Sequence, residues 1–342
     1  MDSPSHQRFV RDIRTCFHAL ILTFLCLVLL TILYFSPPPQ PERREASIAV
    51  VETTSPAPET LWQAPDSASV PDTENGALIQ YGRDLISHTA KYLGPKGIVL
   101  SISNGMNCQN CHLKAGTKPF GNNYSAVAST YPKFRARSGG IESIEKRVND
   151  CLERSLNGKH LDDNSKEMRG IVAYINWLGT QVPKGTSPKG AGLVDVALLK
   201  RPADPAKGQM LYVAQCQQCH GKNGEGLKNT DGIEWKYPPL WGPNSYNVGA
   251  GLYRLSRFAG YVKANMPNGT SFEKPQLTDE EAWDIAAFVN SMPRPAKPFP
   301  KDWPDIAAKP FDHPFGPFVD PFDEQQHKYG PFAAIKAAQK KK

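Results

Sequence analysis

Apolar positions are grouped along this chain in two distinct ways. From Cys16 to Phe35 no Asp, Glu, Lys or Arg interrupts an apolar run, and Ser36-Pro37-Pro38-Pro39 ends it. At about 1.5 Å per residue the run reaches roughly 30 Å, which predicts a helix able to cross a bilayer. Beyond the following Pro- and Ser-rich stretch, apolar residues recur at helical spacing instead. Leu78, Tyr81, Leu85 and Tyr92 share one face over about 77–93. Ile171, Val172, Tyr174, Ile175 and Leu178 mark a helix over about 165–178, stopped by Gly179 and Pro183. The pattern then repeats, with helices expected over 207–215 and 251–264. A last helix starts at Thr278, carries Trp283, Ile285, Ala286, Phe288 and Val289, and ends before Pro293. Thr278 and Glu281 have the spacing of a capping box.

Each half of the repeat carries the same short motif. Cys108-Gln109-Asn110-Cys111-His112 and Cys216-Gln217-Gln218-Cys219-His220 both read C-x-x-C-H. That is the attachment pattern of c-type haem, in which Cys108, Cys111, Cys216 and Cys219 bond the porphyrin while His112 and His220 ligate iron. The cofactors expected are therefore two covalently bound c-type haems. The fold class is all-α: two tandem cytochrome c-like domains, each around one haem. The boundaries read as a cytoplasmic N-terminus (1–15), a transmembrane anchor (16–36), a linker (37–75), a first domain (76–183), a linker (184–200), a second domain (201–295) and an extended C-terminal segment (296–342). That last segment holds Trp303, Phe311, Phe315, Phe318, Phe322, Tyr329 and Phe332, too many rings for a solvated tail, so it is expected to lie across the domains.

Composition narrows the setting. The hydrophobic fraction of 40% is modest and the 31 prolines are many, which suits small cores joined by extended segments. The net charge of +7 is spread over scattered basic residues with no organising motif, which argues against a nucleic-acid partner. Arg8, Arg11 and Arg14 precede the apolar run and favour a cytoplasmic N-terminus. A cleaved signal peptide is the competing reading of the run. Either way most of the chain lies outside the cytoplasm, in a bacterial periplasm, anchored to the inner membrane if the helix is retained.

Each haem needs a second axial ligand. Of the seven cysteines, four belong to the haem motifs and Cys16 and Cys26 lie in the apolar run, leaving Cys151. Tyr174-Ile175-Asn176 in the first domain matches Phe288-Val289-Asn290 in the second, and Cys151 precedes Tyr174 by nearly the interval at which Met266 precedes Phe288. The distal slot thus holds Cys151 in one domain and Met266 in the other. His88 and His160 are the rivals of Cys151; Met210 and Met292 suit a packing role better than Met266 does. A thiolate stabilises ferric iron and lowers the potential, whereas a thioether raises it, so electrons would run from the Cys151 haem to the Met266 haem. The neighbourhood of Cys151 is cationic: Arg135, Arg137, Lys146, Arg147 and Arg154 lie close in sequence. Arg147 and Cys151 are four apart, on one helix face. Guanidinium groups suit oxyanions and lower thiol pKa values. Surface charge, or pairing with haem propionates, is the ordinary alternative. Ser155 and Asn157 could add neutral donors.

These residues together resemble the diheme thiosulfate dehydrogenase family. The resemblance rests on the two haem motifs, Arg135-Ala136-Arg137-Ser138-Gly139, the run Arg147 to Gly158, Asn265-Met266-Pro267, and Glu324 to Phe332 in the tail, and it covers about 76–332. It implies oxidation of two thiosulfates to tetrathionate, possible in reverse, with electrons leaving to an external c-type cytochrome or similar acceptor. Cys151 would be both ligand and reaction centre, and Arg137 and Arg147 would hold sulfonate oxygens. Arg135, Arg154, Ser155 and Asn157 are the further substrate-binding candidates. Some relatives place a lysine beside the distal methionine as an alternative ligand; here the neighbour is Asn265, with Lys263 three positions from Met266. Two other functions stand beside this one: a diheme electron carrier without substrate chemistry, and a haem subunit of a multi-protein sulfur-oxidation complex.

Overall fold

The structure, a computed structural model, describes the backbone of residues 4–35 and 61–340, with side chains over 11–31 and 61–340. It divides into two units, Met1–Ser55 and Pro56–Lys342. In the first, a single helix spans Pro4–Phe35, and its Arg11–Thr31 stretch is long and apolar enough to cross a membrane. A signal sequence has the same character. Residues 36–60, the end of the expected anchor and most of the expected linker, and the last two lysines lie outside the described residues. In the rest of that linker Trp62 and Pro65 are buried, and the Trp62 backbone N–H donates to the Lys189 carbonyl at 2.8 Å, while most of the other residues are exposed.

The second unit is built from two similar helical frames. In the first frame the helix Glu74–Ser87 crosses Lys166–Leu178. In the second, Pro205–Gln215 crosses Asp279–Ser291. Both crossings are made at a glycine. A Cβ on Gly82 would lie 1.8 Å from the Gly170 carbonyl oxygen, and one on Gly208 would lie 1.9 Å from that of Asp284. The backbones approach too closely for any larger residue. Each helix start is capped as its sequence suggests, by Thr73, Ser165, Asp204 before Pro205, and the Thr278–Glu281 capping box. The helix expected over 77–93 is broken at His88, with Thr89–Leu93 continuing beyond it.

The architecture is mostly helical, as the sequence indicates. Among the described residues the strands are two short antiparallel hairpins, Lys133–Arg135 with Gly140–Glu142 and Leu227–Lys228 with Trp235–Tyr237. One apolar cluster belongs to the first domain alone, around Leu85, Tyr174 and Leu178. A second joins Leu93, Leu152 and Leu161 of the first domain to Phe258, Trp283 and Phe332.

The C-terminal segment starts extended and then forms two helices, Glu324–Tyr329 and Ala333–Lys340. Asp323 caps the first of these, and alanines favour the second. Tyr329, Phe332 and Ile335 are buried, while Phe315 stays exposed. Asp312 fastens the tail: its wholly buried carboxylate accepts from Arg254 Nε at 2.8 Å and from the Ser256 N–H at 3.0 Å. Asp312→Ala leaves Arg254 without its counter-charge and should cost about 3–5 kcal/mol. Thermal melting followed by circular dichroism should show a clear fall in Tm; an unchanged Tm would mean the tail adds no stability there.

Candidate haem and substrate site

Both C-x-x-C-H motifs form tight turns. The first is the one-turn helix Cys108–Asn110, anchored where the Cys108 N–H donates to Thr89 Oγ1 at 2.9 Å. The second is Gln217–His220, entered from the end of the helix Pro205–Gln215. Each histidine is held the same way. His112 Nδ1 donates to the Asn122 carbonyl at 2.5 Å, and His220 Nδ1 to that of Pro238 at 2.9 Å. A proton on Nδ1 leaves Nε2 with its lone pair, the form a metal requires. Burial pushes the pKa of His112 down to about 4 and lowers that of His220, so both rings are neutral at neutral pH. The residues present fit covalently attached haem.

Each histidine lines a cavity together with its proposed partner. The first cavity is lined by Cys108, Cys111 and His112 and by Arg147, Val148, Cys151 and Ser155. The second has Cys216, Cys219, His220 and Met266, with Val262, Ile285 and Val289 as apolar walls. Met266 is the residue that ends the helix Leu255–Asn265. Cys111 lines both cavities, so the first haem motif is the partition between them.

Cys151 lies on the helix Ile144–Arg154, started by the Ser143 side chain accepting from the Lys146 N–H. The cavity face of that helix carries Arg147 one turn before Cys151 and Ser155 one turn after. The negative charge of a Cys151 thiolate is the largest influence on Arg147 and raises its pKa, against the opposing effect of burial. Thiol and guanidinium thus lie four residues apart on one helix and line the same cavity.

The other candidate residues are spread more widely. Arg137 lines a neighbouring pocket with Gly249, Phe299, Asp302 and Trp303. Its Nη1 donates to the Gly249 carbonyl at 3.3 Å, and its guanidinium sits 5.6 Å from the Trp303 ring centre. Burial first, then the charges of Arg154 and Arg147, lower its pKa to about 10, so it remains a cation at neutral pH. Arg154 is engaged by the tail, with Nη1 and Nη2 on Asp302 at 2.7 and 2.8 Å and Phe299 stacked 3.7 Å away. Arg135 sits on the hairpin, 3.9 Å from Glu142. Asn157, in left-handed backbone, accepts from Asn247 at 2.9 Å. The rival histidines do not line the first cavity: His88 pairs with Glu234 at 3.0 Å and His160 lies near Asp163. Met210 is exposed, and Lys263 is held by the Leu277 carbonyl and Asp279. Sequence reasoning did not find Tyr124 and Tyr131, which wall the first cavity, nor Asp302 and Asn247, which hold the Cys151 helix from outside. No motif or spacing marks any of the four.

Comparison with known proteins bears on this arrangement. Residues 101–183 match the family model described as SoxA/TsdA, cytochrome c domain, and residues 205–293 match cytochrome c. The chain is similar to the thiosulfate dehydrogenase of Psychrobacter arcticus, 40% identical over 70% of this chain and 71% of that protein. It is also similar to that of Allochromatium vinosum, 36% identical over 73% of this chain and 90% of that one. Among solved structures it resembles the thiosulfate dehydrogenase (TsdBA) from Marichromatium purpuratum, with TM-score 0.64 and 32% identity over 70% of this chain. It spans 50% of that longer chain.

The paired cavities make a stoichiometric prediction. Replacing both Cys216 and Cys219 by Ala should lower covalently bound haem from two per chain to one, read by mass spectrometry of the intact protein. A chain still carrying two would refute the attachment sites.

Proposed function

The chain belongs to the thiosulfate dehydrogenase family, and we propose that it joins two thiosulfates into tetrathionate at Cys151. It is a diheme c-type cytochrome that oxidises thiosulfate. When bound, the haems supply one-electron redox chemistry, matching the two electrons released as two thiosulfates become one tetrathionate. His112 and Cys151 would hold the first haem iron, and His220 and Met266 the second.

The observation that carries the reading is the shared cavity of His112, Cys151, Arg147 and Ser155. Two thiosulfate dianions repel each other, and forming a bond between their sulfurs needs fixed positive charge already in place. Arg147 supplies that charge one helical turn from the thiol. Ser155 offers a neutral donor on the same wall. Arg137 lines a different pocket but feels the charge of Arg147, and it would hold a second sulfonate. Cys151 contributes a sulfur that can accept another sulfur and release it. Arg154 and Asn157 support the helix rather than the substrate, because their polar groups are engaged by Asp302 and Asn247. Arg135 lies beside Glu142, at the edge of this positive surface.

Electrons would leave toward the second domain. The partition between the cavities is thin and well tied: Tyr261 Oη donates to the Asn110 carbonyl at 2.9 Å, and Asn265 Nδ2 to that of Phe120 at 3.0 Å. An external c-type cytochrome is the acceptor that suits this exit. The cytochrome c domains indicate a periplasmic setting, and an uncleaved N-terminal helix would hold the enzyme at the inner membrane.

Cys151→Ser should keep both haems attached yet abolish their reduction by thiosulfate. Arg147→Gln should lower kcat/KM by roughly 10²–10³-fold. Thiosulfate-driven change in haem absorbance, measured on the isolated chain, checks both. Undiminished reduction in the Cys151 variant would leave the protein as an electron carrier with its chemistry elsewhere. No turnover by the parent chain alone would favour a subunit of a larger complex.

A further inference from the structure

The two haem-motif histidines are tethered alike at the ring edge but covered differently on the ring face. His112 stacks against Tyr124, with ring centres 4.5 Å apart and planes 23° from parallel. His220 has Tyr237 at 6.2 Å and 61°, an edge contact. Tyr124 is buried and lines the first cavity together with His112. The backbone makes a place for its ring. Gly116, four residues after His112 and in left-handed backbone, donates its N–H to the His112 carbonyl at 2.7 Å and accepts from the Tyr124 N–H at 3.0 Å. A Cβ on Gly116 would lie 2.0 Å from Tyr124 Cδ2, so only glycine leaves room for the phenol here.

An imidazole that ligates iron shares the charge of the metal, and shares more of it in the ferric state. An aromatic ring is negative on its face and attracts positive charge placed there. The Nδ1 bond to the Asn122 carbonyl fixes one edge of His112, and Tyr124 covers its face. His220 has the corresponding edge bond to Pro238 without a stacked ring. We propose that Tyr124 is a positioning residue of the first haem: its ring holds the plane of His112, and its negative face favours the ferric state and lowers the potential of that haem.

This assignment rests on His112 as a haem ligand and not on the chemistry proposed at Cys151. Its effect has the same direction as the distal ligands. A thiolate lowers the potential of the first haem and a thioether raises that of the second. Tyr124 widens that gap from the opposite side of the iron, through a ring contact that the second domain does not repeat.

The test is a redox titration of the diheme protein, following the absorbance of each haem. Tyr124→Leu removes the ring and should raise the potential of the first haem by about 28 mV, a threefold shift of its one-electron equilibrium. Tyr124→Phe keeps the ring and should stay near the parent value. Tyr124→pentafluorophenylalanine keeps the shape but makes the ring face positive, and should raise the first haem at least as far as Leu does. The second haem should be unmoved throughout and serves as the internal control. If the Leu variant fails to hold both haems, the fluorinated variant decides: a rise confined to the first haem supports the proposal, and no rise overturns it. A Phe variant that shifts as far as the Leu variant assigns the effect to the hydroxyl and overturns it too. Equal shifts of both haems would mark a general loosening and also overturn it. Thiosulfate turnover does not enter the readout, so a failure here is separate from a failure of the mechanism at Cys151.

Discussion

The whole of the first cavity depends on one arrangement: a thiol and a guanidinium, one helical turn apart, both half-buried on the lining of one cavity. Neither group gains from burial alone, since each loses hydration when charged. Together on one helix, they offset that loss. The raised pKa of Arg147 has the Cys151 charge as its largest cause. The pair is also poised for an anion. A guanidinium with a thiolate as its near partner still has planar N–H edges to present to sulfonate oxygens.

Such a pair needs a helix that does not shift, and the second half of the molecule holds it. The last carbonyls of a helix have no partners within the helix. Here Asn247 supplies them, donating from Nδ2 to the Glu153 carbonyl at 2.9 Å and from its backbone N–H to that of Arg154 at 3.0 Å. Lys297 reaches the Gly158 carbonyl at 2.8 Å just beyond. The Arg154–Asp302 fork fixes the same end from the tail. The C-terminal segment and the second domain therefore serve as the outer brace of the Cys151 helix, besides whatever part they take in electron transfer. The apolar cluster that crosses between the domains has the same effect over a larger area.

What could be read from the sequence follows how local each signal is. The haem motifs are five residues long and complete in themselves. Thr278 with Glu281, and Ser165 before the apolar run, mark helix starts through bonds spanning only a few positions. The proposed equivalence of Cys151 and Met266 comes from the chain containing its own second copy for comparison, and each lines a cavity with a haem-motif histidine. The site assembled from distant segments was not legible. Asn247 and Asp302 lie far from Cys151 in sequence, and neither stands in any pattern that marks it. Arg137 and Arg154 look alike on paper, both near Cys151. Their separate fates are set by tail residues: Trp303 stacks near one, while Asp302 neutralises the other. The two tail helices were missed because a chain rich in proline and phenylalanine gives no periodic face until its last residues.

The two halves of the repeat therefore diverge by changing one position within a shared frame. Both domains cross their first and last helices at a glycine, and both anchor the haem histidine through Nδ1 to a backbone carbonyl. They part at the distal residue. Met266 is the cap of its helix, and Pro267, Asn268 and Gly269 continue along the cavity beyond it as a loop. Cys151 is inside its helix, and the turns on either side place Arg147 and Ser155 on the same wall. The residues that accompany Met266 on the cavity, Val262, Asn265, Pro267, Asn268 and Gly269, carry no charge. Cys151, within a helix, brings the side chains one turn before and after it, and that arrangement gives the thiol a neighbouring cation and, in the function proposed, the substrate its binding surface.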